Sequence, residues 1–472
     1  MRNIRLLLRY DGTRYSGWQS QEHEENTIQG RVTAVLERLT GETIRLAGSG
    51  RTDAGVHALG QTANFRTESA LSCEELKMGL NRYLPEDIAV YSVEEAELRF
   101  HSRLNALRKT YRYRIWNSPV HNVFERKYLY SLEQELDEKA MEQAWQHWDS
   151  IAKPLRSLGK LEETIVQIAG ITGNPRVSLD RKALMLFCAD NGVVEEGVTQ
   201  CGQEVTKAVA ENFLQVRATA GVLCRHAGAD IFPYDIGVAQ DTCIPSCKIA
   251  YGTKNMAKEP AMSREEAVRA LEAGIHAAEE KIKDGYQILA TGEMGIGNTT
   301  SSSAIASVLL GKDPETVTGR GAGLSSAGLQ KKIQVIRQAI DLHHPDPSDP
   351  VDVLSKVGGF DIAGMAGVFL AGAAHHVPVV IDGFISAVAA LIAVRLAPLA
   401  SGYILASHVS KEPAAGMLLK ELDKEALLHC EMCLGEGTGA VMLFPVLDMA
   451  LAVYREMATF ESTHIEAYVP LS

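Results

Sequence analysis

This chain of 472 residues is short of the features that mark secreted, membrane and disordered proteins. Aromatic residues make up 6% of it and charged residues 22%, against 46% hydrophobic. That balance is globular and lacks the polar excess of a disordered chain. Its eight cysteines, Cys73, Cys188, Cys201, Cys224, Cys243, Cys247, Cys430 and Cys433, form no paired framework of a secreted scaffold. The one C-x-x-C, Cys430 to Cys433, has no second pair to complete a zinc site, so packing on a helix face is expected. The start, Met1-Arg-Asn-Ile-Arg-Leu, has no apolar core of a secretory signal. The longest apolar stretch, Phe384 to Val394, stops at Arg395, too short to span a bilayer. A reduced, cytoplasmic protein with no membrane partner, no metal and no cofactor is expected.

At this length two or three domains are expected. The net charge of −12 is unevenly spread: residues 1–130 carry +3 and the remainder −15. Only Lys77, Lys109 and Lys127 are lysines among the 19 basic residues of the front part. Arginine contacts phosphates bidentately and stacks on bases, so an RNA-facing front and a scatter of solvated charge fit equally. Residues 3–9, Thr43–Leu46, Gln61–Arg66 and Asp87–Val93 read as strands, with helices over Thr27–Leu39 and Cys73–Leu84. Thr110–Trp116 alternates again. The front is therefore a compact α+β layer.

Past about Leu132 the texture changes. Glu135–Ile151 is helical, and Ala183–Cys188 is a continuous apolar run suited to a buried parallel strand. Ile288–Ala290 and Val377–Ile381 are similar, with Ala/Gly/Ser-rich helices such as Ser301–Leu310 and Ile362–Ala374 between them. This alternation predicts a doubly wound parallel α/β domain with a smaller helical part, its ligands in Gly-rich loops at the carboxyl ends of strands. His343 to Pro350 reads as a surface loop with solvated histidines. No spacer rich in Gly, Pro or Ser separates front from back: Tyr128-Leu-Tyr-Ser-Leu-Glu-Gln-Glu-Leu runs straight into the next helix, more like a splice than a tether.

Two carboxylates stand in tight Gly-rich turns. The first is Asp53, in Gly50-Arg-Thr-Asp-Ala-Gly-Val-His57. Beside Arg51 it would stay ionised, fit for a nucleophile, although an Asx-turn that closes the loop accounts for the spacing as well. This stretch, together with Tyr10-Asp11-Gly12, Tyr15-Ser-Gly-Trp18-Gln19, Phe100-His101 and Lys109-Thr-Tyr111-Arg-Tyr113-Arg, resembles the tRNA pseudouridine synthase A family over about residues 1–130. The resemblance implies isomerisation of uridine in the tRNA anticodon arm, with tRNA as partner. Asp53 would attack the flipped uridine, Arg51 would hold the displaced nucleotide, and Tyr111 would pack against the base and assist proton removal. The family's second half of the cleft is absent here. Half a cleft orients and desolvates a base poorly, so a weak or inactive synthase is expected.

The second carboxylate is Glu436, in Leu434-Gly-Glu-Gly-Thr-Gly-Ala440. Two further glycine-rich loops lie in the same domain, Gly292-Glu293-Met-Gly-Ile-Gly-Asn-Thr-Thr300 and Thr318-Gly-Arg-Gly-Ala-Gly323. The first opens a helix after a buried strand, where backbone N–H groups suit an anion. Neither is a P-loop or a dinucleotide fingerprint. A glutamate backed by glycines and apolar residues should be partly desolvated and so raised toward general-base duty; a helix-capping carboxylate fits the spacing equally. These loops, with Ser157-Leu-Gly159, Asp190-Asn-Gly-Val193, Glu196-Gly-Val198, Gln203-Glu-Val-Thr206, Gly358-Gly-Phe-Asp-Ile-Ala-Gly364 and Asp382-Gly-Phe-Ile-Ser386, resemble the nicotinate-nucleotide–dimethylbenzimidazole phosphoribosyltransferase family over about 132–472.

That resemblance implies transfer of phosphoribose from nicotinate mononucleotide to 5,6-dimethylbenzimidazole, for the lower loop of cobalamin, by a homodimer. Glu436 would be the general base and Glu293 the second carboxylate, near the developing ribosyl cation. Gly295, Gly297, Asn298, Thr299, Gly321, Gly323, Lys331, Asp382, Gly383 and Ser410 would line the nucleotide site, and Gln200, Cys201 and Leu434 the base pocket. Two departures stand out: Pro154-Leu-Arg-Ser157 where the family reads Pro-Pro-Gly-Ser, and Ala414-Ala415 where Gly-His is common. The leading expectation is a phosphoribosyltransferase with an inert synthase remnant. A bifunctional chain, a non-catalytic RNA-binding or interaction module, and a frameshift or gene-model join are the alternatives.

Overall fold

Apolar side chains on alternate positions of the first strand leave it one dry face, with Ile4, Leu6, Leu8 and Tyr10 inward. The computed structural model describes residues 1–19, 26–52, 54–106, 115–117, 130–132, 136–321 and 323–466. The chain divides into two compact units, Met1–Thr110 and Tyr111–Ser472.

In the front unit, β1 (Arg2–Tyr10), β2 (Ala47–Gly48), β3 (Ala58–Thr67) and β4 (Ile88–Ala96) form an antiparallel sheet in the order β2-β3-β1-β4. Helices Ile28–Thr40 and Cys73–Tyr83 supply Val32, Leu36, Leu76 and Leu80 to the same core. The second helix starts on a capping box: Ser72 and Glu75 each satisfy the other's backbone N–H. The α+β layer is as expected. Thr43–Leu46 is not a strand, however; the ladder begins one residue later, at Ala47, and Ile44 and Leu46 enter the core from a loop. Most of Thr110–Trp116 lies outside the described residues.

In the back unit a short parallel pair, β5 (Ile115–Asn117) and β6 (Tyr130–Leu132), precedes the main sheet. That sheet is wholly parallel: β7 (Lys182–Ala189), β8 (Ala229–Gly237), β9 (Ile288–Met294), β10 (Val379–Ile381) and β11 (Ile404–Ala406), in the order β11-β10-β9-β7-β8. Every residue of β7 is buried. Ala183, Met185 and Phe187 face one hydrophobic cluster, and Leu184, Leu186 and Cys188 the other. Both faces are therefore covered, as a doubly wound sheet requires. Helices Arg264–Lys283, Phe360–Ala374 and Phe384–Leu396 pack on the first face, and Lys160–Thr172 and Thr438–Glu456 on the second. Helix Glu138–Ser150 joins the second group, Trp148 meeting Tyr454 edge-on at 4.8 Å.

Helix Thr438–Glu456 is long and apolar enough to cross a membrane, but 56% of that stretch is buried in the fold, as befits a core helix. Two expectations are corrected. Cys430 and Cys433 are exposed, in the loop before this helix and not on a helix face, because Gly435 and Gly437 delay helix formation until Thr438. His343 belongs to helix Ser326–His343, and its Nε2 lies 2.8 Å from the Met256 carbonyl oxygen; the surface loop starts at His344.

Helices Arg264–Lys283 and Phe360–Ala374 approach backbone to backbone. A Cβ at Gly274 would run into the Gly364 carbonyl oxygen, and one at Gly367 into that of Leu271. Overpacking of this kind costs about 1–3 kcal/mol where the neighbour can shift, and here the neighbour is backbone. Gly274→Ala should lower stability by about 3 kcal/mol in denaturant unfolding; an unchanged midpoint would contradict the close crossing.

Candidate active site

In a doubly wound sheet, ligands bind beyond the carboxyl ends of the strands, where chain order reverses. Here the chain leaves β7 toward β8 on one side and returns to β9 on the other, so the switch point lies between β7 and β9. Asp190 follows β7, Glu293 lies near the end of β9, Asp382 follows β10 and His408 comes just after β11. A cavity of about 330 Å³ opens at these ends, lined by Glu293, Asp382, His408, Glu436 and the Gly295–Thr299 turn among others.

The glycine loops are shaped by close approach. Gly435 (φ 87°), Glu436 (φ 58°) and Gly437 (φ 76°) are three consecutive left-handed residues. For glutamate that conformation costs of order 1–2 kcal/mol, so the surroundings must impose it. They do so in two ways. A Cβ at Gly292 would lie 2.9 Å from the Gly437 nitrogen and one at Gly435 would strike Glu293, so β9 and the loop touch directly. Asp382 accepts the N–H groups of Gly437 (3.2 Å), Gly439 (2.6 Å) and Ala440 (3.1 Å), capping helix Thr438–Glu456 from another strand's end. Glu436 therefore does not cap its own helix. Its Oε2 reaches the Ala220 N–H at 3.4 Å, in the first turn of helix Thr219–Ala227.

Burial raises every carboxyl group here. Glu293 is pushed up to about 8, by burial first and then by the Asp361 charge. Asp382 rises to about 7 and Asp361 to about 6, both through burial. Burial also raises Glu436. Lys332, which also lines the cavity, is buried, and burial brings it down to about 8 against the opposing charge of Glu412. Its Nζ donates to Thr299 Oγ1 at 2.8 Å and to the Gly319 carbonyl at 3.3 Å. The first turn of helix Asn298–Leu310, after Gly297 (φ 95°), lies beside it. One cavity thus holds a buried lysine, with Glu412 beside it, together with the carboxyl groups of Glu293, Asp382 and Glu436. Among the described residues no three His, Cys, Asp or Glu side chains are arranged to hold a metal.

The cavity wall gathers Glu436, Glu293, Gly295, Gly297, Asn298, Thr299, Gly321, Asp382, Gly383, Ser410, Gln200, Cys201 and Leu434. Gly323 stands just off it, its carbonyl bonded by Gln200 Nε2. Lys331 does not line it: Lys331 is exposed and its neighbour Lys332 points inward. The helical phase of Ile333, Val335, Ile336 and Ala339 was the signal for that choice. His408, Arg320 and Glu412 also line the cavity and were missed. His408 had a faint signal, since Gly439 leaves no room for a Cβ beside its ring.

Asp53, of the front unit, and Tyr111, which begins the second, lie outside the described residues. Arg51 is exposed, in a loop held by Trp18 N–H to the Thr52 carbonyl (2.8 Å), Thr52 Oγ1 to the Tyr10 hydroxyl (2.9 Å) and Gly12 N–H to His57 Nδ1 (3.1 Å).

Residues 134–465 match the family model of a phosphoribosyltransferase, and residues 7–105 that of a tRNA pseudouridine synthase. Two similar proteins are nicotinate-nucleotide–dimethylbenzimidazole phosphoribosyltransferases. That of Acetivibrio thermocellus is 49% identical over 339 residues, 71% of this chain and 97% of its own. That of Desulforudis audaxviator is 51% identical over 334 residues, 70% and 95%. The crystal structure of CobT from Thermus thermophilus superposes with a TM-score of 0.67 at 38% identity, covering 70% of this chain and all of that one.

Asp382 is the tie that shapes the Glu436 loop. Asp382→Ala should lower stability by about 2 kcal/mol and speed amide hydrogen exchange at Gly437, Gly439 and Ala440, leaving β7 protected. Unchanged exchange at those three amides would show that the loop holds itself.

Proposed function

The back unit's chain belongs to the nicotinate-nucleotide–dimethylbenzimidazole phosphoribosyltransferase family, and from that we propose that it moves phosphoribose from nicotinate mononucleotide to 5,6-dimethylbenzimidazole. The observation that carries the reading is one cavity that holds both a buried lysine and buried carboxyl groups. Lys332, with Thr299 in the first turn of helix Asn298–Leu310, suits a phosphate, and Glu293 and Glu436 suit a sugar carbon that becomes cationic. Gly295, Gly297, Thr299, Gly321, Gly323, Gly383 and Ser410 complete the nucleotide site, with Lys332 taking the part given to Lys331. Gln200, Cys201 and Leu434 flank the aromatic base.

A benzimidazole nitrogen attacks C1′ as the bond from C1′ to the nicotinate nitrogen breaks, its electron pair leaving with nicotinate. The other benzimidazole nitrogen gives its proton to Glu436. The products are α-ribazole 5′-phosphate and nicotinate. Glu293 lies beside the carbon that carries positive charge during exchange. No cofactor enters. All eight cysteines are free, which suits a reducing cytoplasm, and a homodimer is the working assembly.

Glu436→Ala should cut kcat by about 10²–10⁴-fold with nicotinate mononucleotide binding, by calorimetry, little changed; full kcat would sink the assignment. Because a base must be ionised to act and burial raises Glu436, the rate should fall as pH drops through a range above that of ordinary glutamates.

The front module, residues 1–130 beside a transferase of 132–472, is a weak or inactive synthase. Its matched stretch, residues 7–105, is short, and half a cleft offers little to orient a flipped base. The purified chain should form no pseudouridine on anticodon-arm tRNA. Formation that Asp53→Ala abolishes would establish a bifunctional enzyme instead, and salt-dependent tRNA binding without isomerisation would make the module an RNA binder.

A further inference from the structure

Behind Glu293, away from the substrate side, stands a carboxylate that the reaction scheme does not use. Asp361 is fully buried in the first turn of helix Phe360–Ala374. One side-chain nitrogen, Asn298 Nδ2, donates both to Glu293 Oε2 and to Asp361 Oδ2, the latter at 3.0 Å. Asp361 Oδ1 has no hydrogen-bond partner among the described residues, although it is sealed from water. Gly359 comes close against it: a Cβ there would lie 2.6 Å from that oxygen.

We infer that Asp361 is a positioning residue for Glu293: through the shared Asn298 amide it fixes the glutamate's place, and its charge governs the glutamate's proton. Two carboxyl groups sealed together and served by one amide nitrogen cannot both ionise cheaply, and their protons belong to the pair. Burial and the Asp361 charge hold Glu293 up near 8, while Asp361 itself sits near 6. Of the pair, Glu293 is the harder to ionise, and a ligand with a positive charge beside C1′, as on the pyridinium nitrogen of a nicotinate nucleotide, would favour its ionised form.

The other groups facing the pair are fixed. Asp382 adds like charge to Glu293 from the end of β10, and the Glu436 N–H favours its ionised form from the loop. The N–H groups of Ile362 and of Asp361 itself favour the ionised Asp361, which also feels the Asp190 charge from the end of β7. The Cys188 thiol feels the charges of Asp235, Glu293, Asp361 and Asp190 and is pushed well up, by burial first. A plain alternative exists: a carboxylate in the first helical turn stabilises the helix whatever Glu293 does.

The inference rests on the transferase reading for its use, but its test does not need turnover. The infrared carbonyl band of protonated Glu293, assigned by its loss in Glu293→Gln, is titrated in the full chain. In the native protein its midpoint should lie near 8. Asp361→Asn removes a like charge and should lower the midpoint by about one pH unit. Asn298→Ala removes a donor to the carboxylate and should raise it. The acid limb of kcat/KM should move in the same two directions. A midpoint unmoved in both variants, or in Asn298→Ala alone if Asp361→Asn does not fold, overturns the inference and leaves Asp361 a helix-capping group. Shifts of the expected sign in a chain that transfers nothing to dimethylbenzimidazole uphold the inference and sink the transferase reading.

Discussion

The hold of Asp382 on the start of helix Thr438–Glu456 is the contact on which the site depends. One carboxylate at the end of β10 accepts three N–H groups from Gly437, Gly439 and Ala440. Those groups follow a residue forced into left-handed backbone, Glu436 at φ 58°. A glutamate does not choose that conformation, and only a helix start anchored from another strand can keep it there. The contact also explains the glycines on both sides, which let β9 come against the loop without a side chain between.

The sheet turns this local tie into a site. Strands β7, β9 and β10 are covered on both faces, so polar groups at their carboxyl ends sit against the apolar core. Acidic groups placed there, Asp190, Glu293 and Asp382, are buried away from bulk water. Their protons become held and tunable, as low-dielectric surroundings disfavour charge. Lys332, in the same cavity, is subject to the same physics with the opposite sign: burial makes its charge easier to lose, against the pull of the neighbouring Glu412.

Much of this was legible in the sequence, and the misses are instructive. The continuous apolar run Ala183–Cys188 implied a buried parallel sheet, and that is the fold. Glu293 and Glu436, picked out as carboxylates among glycines, both line the cavity. Lys332 was missed in favour of Lys331, one residue away and turned outward on the same helix. The apolar phase of Ile333, Val335 and Ile336 contained that choice. Asp361 lay within a motif already noticed, yet its partner Asn298 is 63 positions away, and no local pattern links them. The Cys430–Cys433 spacing suggested a helix face, but the glycines that follow postpone the helix.

The sequence by itself determined the two-part organisation, most strands and helices of both units and the residue types of the site. Periodicity, caps and glycines act over a few residues and can be read there. Only the tertiary structure decided which carboxyl groups are buried side by side, which lysine turns inward, and that a distant aspartate holds the Glu436 loop. Those facts depend on burial and on distances between strand ends far apart in the chain. Desolvation and close contact are properties of the folded volume, and a linear pattern carries them only where a neighbour in sequence is also a neighbour in space.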